Sequence, residues 1–217
     1  IPVPKPSDRP WIFAGAISLA AVAGYVNVVV LGVFHVPVSH MSGAVSRLSM
    51  DLVRQSRGDM MLILSIIGAF LGGAVLSGIV IGSRKLAPGR RYGAVLLLEG
   101  AVLALATVQL HYTRPSGIPL AAMACGLQNA MASSYFGLVI RTTHVTGIVT
   151  DIGVFIGHWI RGRRVQPWKL VLLLSILLGF FGGGVAGQLA YIRLGTAALG
   201  VAAAGCAAAG GGYVLWR

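Results

Sequence analysis

Apolar residues fill this chain in long unbroken runs, without the alternation that marks a half-buried strand or amphipathic helix. A helix needs about 20 such residues to cross a bilayer, and runs near that length are drawn at 11–33, 60–82, 92–112, 118–138, 169–191 and 194–216. The breaks between them are short and basic or proline-containing. "AVAG" at 21–24 has the small residues of a signal-peptidase site, but the apolar run continues past it, so a first span is expected. Two shorter apolar stretches, 42–53 and 145–160, carry polar phrases at their starts: "SHMSGAVSRLSMD" (39–51) and "THVTGIVTDIGVF" (143–155).

These phrases belong to a longer repeat. Gly24 and Asn27 of "GYVN" align with Gly126 and Asn129 of "GLQN", and His40 and Gly43 of "HMSG" align with His144 and Gly147 of "HVTG". Further on, "LSIIGAFLGGAV" (64–75) aligns with "LSILLGFFGGGV" (174–185). The chain therefore divides into a 1–10 cytoplasmic tail, a first membrane repeat (11–112) and a second (113–217) within a single membrane domain.

Composition and charge then set the class and topology. Apolar residues make up 56% of the 217, charged residues 10%, and 31 are glycine, a balance that belongs to integral membrane proteins. The net charge of +12 does not point to nucleic acid, because the cations lie in the breaks, as in "SRKLAPGRRY" and "HWIRGRRVQPWK". If the two short stretches do not cross, one side collects Lys5, Arg9, Arg84, Lys85, Arg90, Arg91, Arg141, Arg161, Arg163, Arg164, Lys169 and Arg217. The other then holds Arg47, Arg54, Arg57, Arg114 and Arg193. This is a sharper asymmetry than eight crossings give, and it puts the N-terminus inside. The expected fold is thus all-α: about six transmembrane helices plus two short re-entrant or broken helices, arranged as two inverted three-span repeats.

The candidate chemistry lies in the repeated phrase. Ser42 and Thr146 are expected to cap the short helices, and no Glu or Gln follows to close a capping box, so backbone donors stay open to an anion. The alternative is that small residues here simply permit close packing. His40 and His144 suit proton handling or a structural hydrogen bond, and the lack of a Cys or carboxylate cluster argues against metal or haem. Arg47 and Asp151 stand at equivalent places and are candidates for a switchable pair. Asn27, Gln128 and Asn129 put amides into spans, where they coordinate a solute or hold the neighbouring short segment. Glu99 is either a proton site or a boundary residue neutralised by Arg91 or Lys85. Cys125 and Cys206 fall inside apolar spans without metal spacing.

"AGYVNVVVLGVFHVPVSHMSGAVSRL" and "CGLQNAMASSYFGLVIRTTHVTGIVTDIG" together resemble the YoaK-type bacterial membrane proteins, a family carried as a domain of unknown function. The resemblance implies an inner-membrane protein of about six spans and no established substrate. This chain has Asn27 where the family pattern has an acid, and Met41-Ser42-Gly43-Ala44 where it has Met-Thr-Gly-Asn.

The expected function is a small secondary transporter or channel for a small polar solute, an anion or weak acid, needing no cofactor. Its site is expected at the midplane from Asn27, His40, Ser42, Gly43, Arg47, Asn129, His144, Thr146, Gly147 and Asp151. The alternatives are a membrane scaffold or assembly protein, whose glycine-rich faces also suit a homodimer, and a metal- or haem-binding membrane enzyme, for which no catalytic motif speaks. The expected partners are the lipid bilayer and the solute.

Overall fold

A chain that cannot hydrogen-bond its backbone to water inside lipid must satisfy every peptide group internally, and this one does so with helices alone. The computed structural model describes residues 9–34, 38–82, 89–134 and 142–216, and among them no strand occurs. The helices are α1 (Arg9–Phe34), α2 (Met41–Arg54), α3 (Arg57–Ile81), α4 (Arg90–His111), α5 (Gly117–Ser133), α6 (Val145–Ile160), α7 (Pro167–Leu194) and α8 (Ala198–Trp216), with a 3-10 turn at Gly195–Ala197. The six long runs read from the sequence become α1, α3, α4, α5, α7 and α8. The two short ones become α2 and α6.

By length and composition, four helical stretches suffice to cross a membrane: Arg9–Val33, Arg57–Ile81, Arg90–His111 and Pro167–Leu215. The last contains both α7 and α8, separated at Gly195, whose φ of 59° breaks the helix. At 17 residues α5 is about 25 Å long, and the residues that follow it lie outside the described set. Large apolar side chains such as Leu71, Ile79, Leu178, Phe181 and Ile192 face outward, as lipid contact requires.

The long helices pack in three pairs: α1 with α7, α3 with α5, and α4 with α8. Glycines let the first two pairs close at backbone distance, and they do so at matching positions. A side chain at Gly24 would meet the Phe180 carbonyl, and one at Gly126 the Phe70 carbonyl; one at Gly183 would meet the Ala21 carbonyl, and one at Gly73 that of Met123. Along α1 and α7 the contacts advance together, Ile17 with Gly179, Ala21 with Gly183 and Tyr25 with Gly187, so these helices run parallel. In α4 and α8 they advance in opposite senses, Gly93 with Gly210 and Gly100 with Ala203. Each pair takes one helix from each half of the chain.

Two buried clusters mark the two ends of this bundle. One gathers Ile12 and Ala16 near the start of α1, Tyr92 and Val95 near that of α4, Leu172 of α7, Ile81 at the end of α3 and Met131 of α5. The other gathers Val29 and Val30 late in α1, Leu110 of α4, Ile63 early in α3, Ile118 of α5 and Leu199 of α8. Basic residues follow these ends. Arg9, Arg90, Arg91, Arg161, Arg163, Arg164 and Lys169 flank helix termini at the first, and Arg54, Arg57, Arg114 and Arg193 at the second.

Candidate functional site

The segments that precede the two short helices are each tied to a long helix. Val38 and Ser39 are buried, and the Ser39 hydroxyl donates to Asn27 Oδ1 at 2.8 Å, which ties the segment before α2 to the inner part of α1. His40 sets its ring edge-on to Phe180, in the middle of α7, with centroids 5.9 Å apart. In the other half, the buried Thr143 donates through Oγ1 to Asn129 Oδ1 at 3.3 Å. From these anchors α2 runs along α3 and α6 along α7. Ala44 of α2 joins the cluster at one end of the bundle and Ile148 of α6 the cluster at the other.

The asparagines thus hold the short segments through the hydroxyl immediately before each histidine. Ser39 and Thr143 were not among the residues singled out from the sequence, yet both stood in the repeated phrases at equivalent places. Since Ser39 gives its proton to Asn27, the 3.0 Å contact between Ser39 Oγ and His40 Nδ1 is made with Nδ1–H donating. Nε2 is then left as an acceptor.

Two expectations change here. Ser42 and Thr146 do not cap: the capping positions are His40 and His144, the first turns close as Ala44 N–H to His40 carbonyl and Ile148 N–H to His144 carbonyl, and no side chain bonds to either start. The helices begin two residues earlier than caps at Ser42 and Thr146 would place them. Ser42 and Thr146 are exposed in the first turn, and their carbonyls accept from Ser46 and Thr150 respectively, another matched pair. Nor do Arg47 and Asp151 pair. Arg47 Nε lies 3.8 Å from the buried carboxylate of Asp51, one turn on in the same helix, while Asp151 is exposed on α6. With α2 on α3 and α6 on α7, the two charges sit on different faces.

Gly147 has a specific local role. The His144 imidazole folds back over it, so that any side chain there would collide with Nδ1 and Cε1. The Gly43 counterpart lies on the exposed side of α2.

The buried polar groups form a second locus. Glu99 is 2% exposed in α4, close to Cys206 of α8 and Cys125 of α5; its Oε2 has no partner among the described residues. It is therefore not a boundary residue. Arg91, one candidate neutraliser, donates to the Ile81 carbonyl, and Lys85 lies outside the described residues. Gln128, at 1% exposure, has an Nε2 without an acceptor among them. Among the described residues no three His, Cys, Asp or Glu side chains converge as metal ligands.

Comparison with known proteins agrees with this reading of a helical membrane chain. A family model described as a protein of unknown function, DUF1275, matches residues 15–211. A UPF0700 transmembrane protein of Rhizobium meliloti is 30% identical over 105 residues, 48% of this chain and 45% of the relative, so the match spans about half of each. No solved structure matches the chain.

Proposed function

The chain belongs to the DUF1275 family, and from that premise we propose a small secondary transporter made of two inverted copies, α1–α4 and α5–α8. In this reading α1, α3, α4, α5, α7 and α8 cross the bilayer, while α2 and α6 enter from opposite sides and stop part-way. The parallel run of α1 beside α7, the antiparallel run of α4 beside α8 and the packing of Ala44 of α2 and Ile148 of α6 into the clusters at opposite ends support it. The richer basic end faces the cytoplasm of a bacterial inner membrane, which puts the N-terminus there.

The observation that carries the proposal is the matched pair of bonds, Ser39 to Asn27 and Thr143 to Asn129, each tying the segment before a short helix to an asparagine of a long one. Broken helices of this kind in inverted copies put open N–H groups and a positive dipole end where a solute passes. The solute is a small anion or weak acid. His40 and His144 accept or deliver its proton, and the first turns at Ser42-Gly43 and Thr146-Gly147 supply donors. Arg47 is answered by Asp51 in the same helix, so the pair brings no net charge to the first start.

Reconstitution tests this. Liposomes carrying the protein and a trapped pH-sensitive dye are challenged with acetate, benzoate, nitrate and chloride. At least one should acidify or alkalinise the lumen faster than in protein-free liposomes, and Asn27→Leu with Asn129→Leu should cut that rate tenfold or more. Ser39→Ala with Thr143→Val, a milder pair, should cut it by less. Equal rates with and without protein for all four anions, or rates untouched by both pairs, would sink the proposal.

A further inference from the structure

A cavity of about 260 Å³ opens between α1, α4, α5 and α8, toward the more basic end of the bundle. It is larger than the ~150 Å³ apolar cavity known to admit benzene. The cause is missing side-chain volume. Where α8 faces α1 it presents Gly205 and Ala209, and the two helices meet far less than their counterparts α4 and α5, which close tightly at Gly117 against Leu110. The walls are apolar and aromatic, with Trp11, Tyr92 and Tyr213 among them, and none of the lining residues is charged.

One polar feature asks for a partner. Gln128 lines the cavity, is 1% exposed, and its Nε2 has no acceptor among the described residues. An orphaned buried donor is costly, on the order of 1–3 kcal/mol, and an oxygen supplied by an occupant removes that cost. The Cys206 thiol, also on the wall, lies beside Glu99, and the Tyr92 hydroxyl donates to the Ser134 carbonyl at 2.7 Å. Among the lining side chains, the amide of Gln128 is the one with a buried polar atom that lacks a partner among the described residues.

We propose that this cavity is a binding site for a small, uncharged, largely apolar molecule bearing an oxygen acceptor, such as an aryl ketone, an ester or an undissociated organic acid. The lining has no cation to hold a carboxylate and no carboxylate to hold an amine, so charged ligands of the same shape are rejected. The aromatic walls take the apolar body, and Gln128 Nε2–H donates to the oxygen. The site is distinct from the starts of α2 and α6, and its existence does not depend on transport.

Benzophenone serves as the probe because it is an uncharged aryl ketone that crosslinks to its surroundings under near-ultraviolet light. With the full chain in liposomes, labelling should concentrate on the peptides holding residues 11–22 and 205–213. Excess acetophenone should compete; 4-benzoylbenzoate, the charged analogue, should label these peptides at least tenfold less. Ala209→Phe, which fills the space, should abolish the localised labelling. Gln128→Leu, which keeps the volume and removes the donor, should weaken half-saturation about fivefold, the loss of one neutral hydrogen bond. Labelling spread evenly over lipid-facing peptides, equal labelling by the benzoate, or a pattern unmoved by Gln128→Leu would each overturn the proposal.

Discussion

The two halves of the chain build the same contacts and then part company at one place. In both, a glycine of the leading helix meets a phenylalanine carbonyl of the other half's third helix, and an asparagine holds the hydroxyl that precedes a histidine. Yet α4 closes against α5 whereas α8 leaves a gap beside α1. The matched crossings are held by glycine, because interhelical packing in lipid depends on close backbone approach. Away from those crossings, volume is free to change. The matched glycine contacts describe the shared frame, and the α1–α8 gap, with Gln128 on its wall, marks where the two halves differ.

The largest expected effect comes from breaking that frame on both sides at once. Gly183→Leu and Gly73→Leu each drive a side chain into a facing carbonyl, of Ala21 and of Met123 respectively, while the adjacent Gly182 and Gly72 have open space beside them. Overpacking costs ~1–3 kcal/mol where neighbours can shift, and backbone cannot shift cheaply. Each crossing variant should lower the midpoint of thermal unfolding in detergent by roughly 5 °C or more. Gly182→Leu and Gly72→Leu should move it by a degree or two. If Gly183 and Gly73 differ as much from each other as from their neighbours, the two frames are not equivalent.

Breaking the relays comes next. Asn27→Leu removes a 2.8 Å bond to a buried hydroxyl, and Asn129→Leu a 3.3 Å one. Leaving a buried hydroxyl unpaired costs ~1–3 kcal/mol, so the first variant should fall near the top of that range and the second near the bottom. Hydrogen exchange reads this locally: amides of 42–45 should lose more protection in Asn27→Leu than those of 146–149 in Asn129→Leu. Equal losses would mean that the two bonds are of one strength.

Much of this frame was legible in the chain itself. Long apolar runs and basic breaks located α1, α3, α4, α7 and α8 to within a few residues, because a helix in lipid needs length and little else. The repeat was visible because close packing at Gly24 and Gly126, or at Gly73 and Gly183, tolerates no other residue. The partner of each helix was not visible. An outward apolar stripe and an inward one read alike in a membrane chain, so nothing marked α7 as the neighbour of α1. The capping residue was misplaced because Ser42 and Thr146 have the preferred chemistry, while the backbone turns two residues earlier, at His40 and His144, next to the buried Ser39 and Thr143. The cavity left only an indirect trace in the Gly- and Ala-rich stretch of α8, since volume lost from one helix becomes a pocket only beside a particular neighbour.

The smallest effect distinguishes two ideas about charge. An Arg47–Asp151 pair would bridge the halves; the Arg47–Asp51 contact, at 3.8 Å, stays within one turn of α2. A contact of that length between a side chain 39% exposed and one 6% exposed resembles a helix-surface ion pair, worth a few tenths of a kcal/mol. Removing the arginine still uncovers a buried carboxylate, so Arg47→Ala should cost more than Asp151→Ala. Double-mutant cycles separate the cases, because residues without a shared contact add independently. The Arg47→Ala/Asp51→Asn cycle should show coupling near 0.5 kcal/mol in stability, roughly halved on going from low to high salt, and Arg47→Ala/Asp151→Asn should show none. Coupling in the second cycle would join the two halves electrostatically and make the charge difference between them a working part of the site; its absence leaves each half with its own local balance, Arg47 answered by Asp51 and Asp151 facing outward.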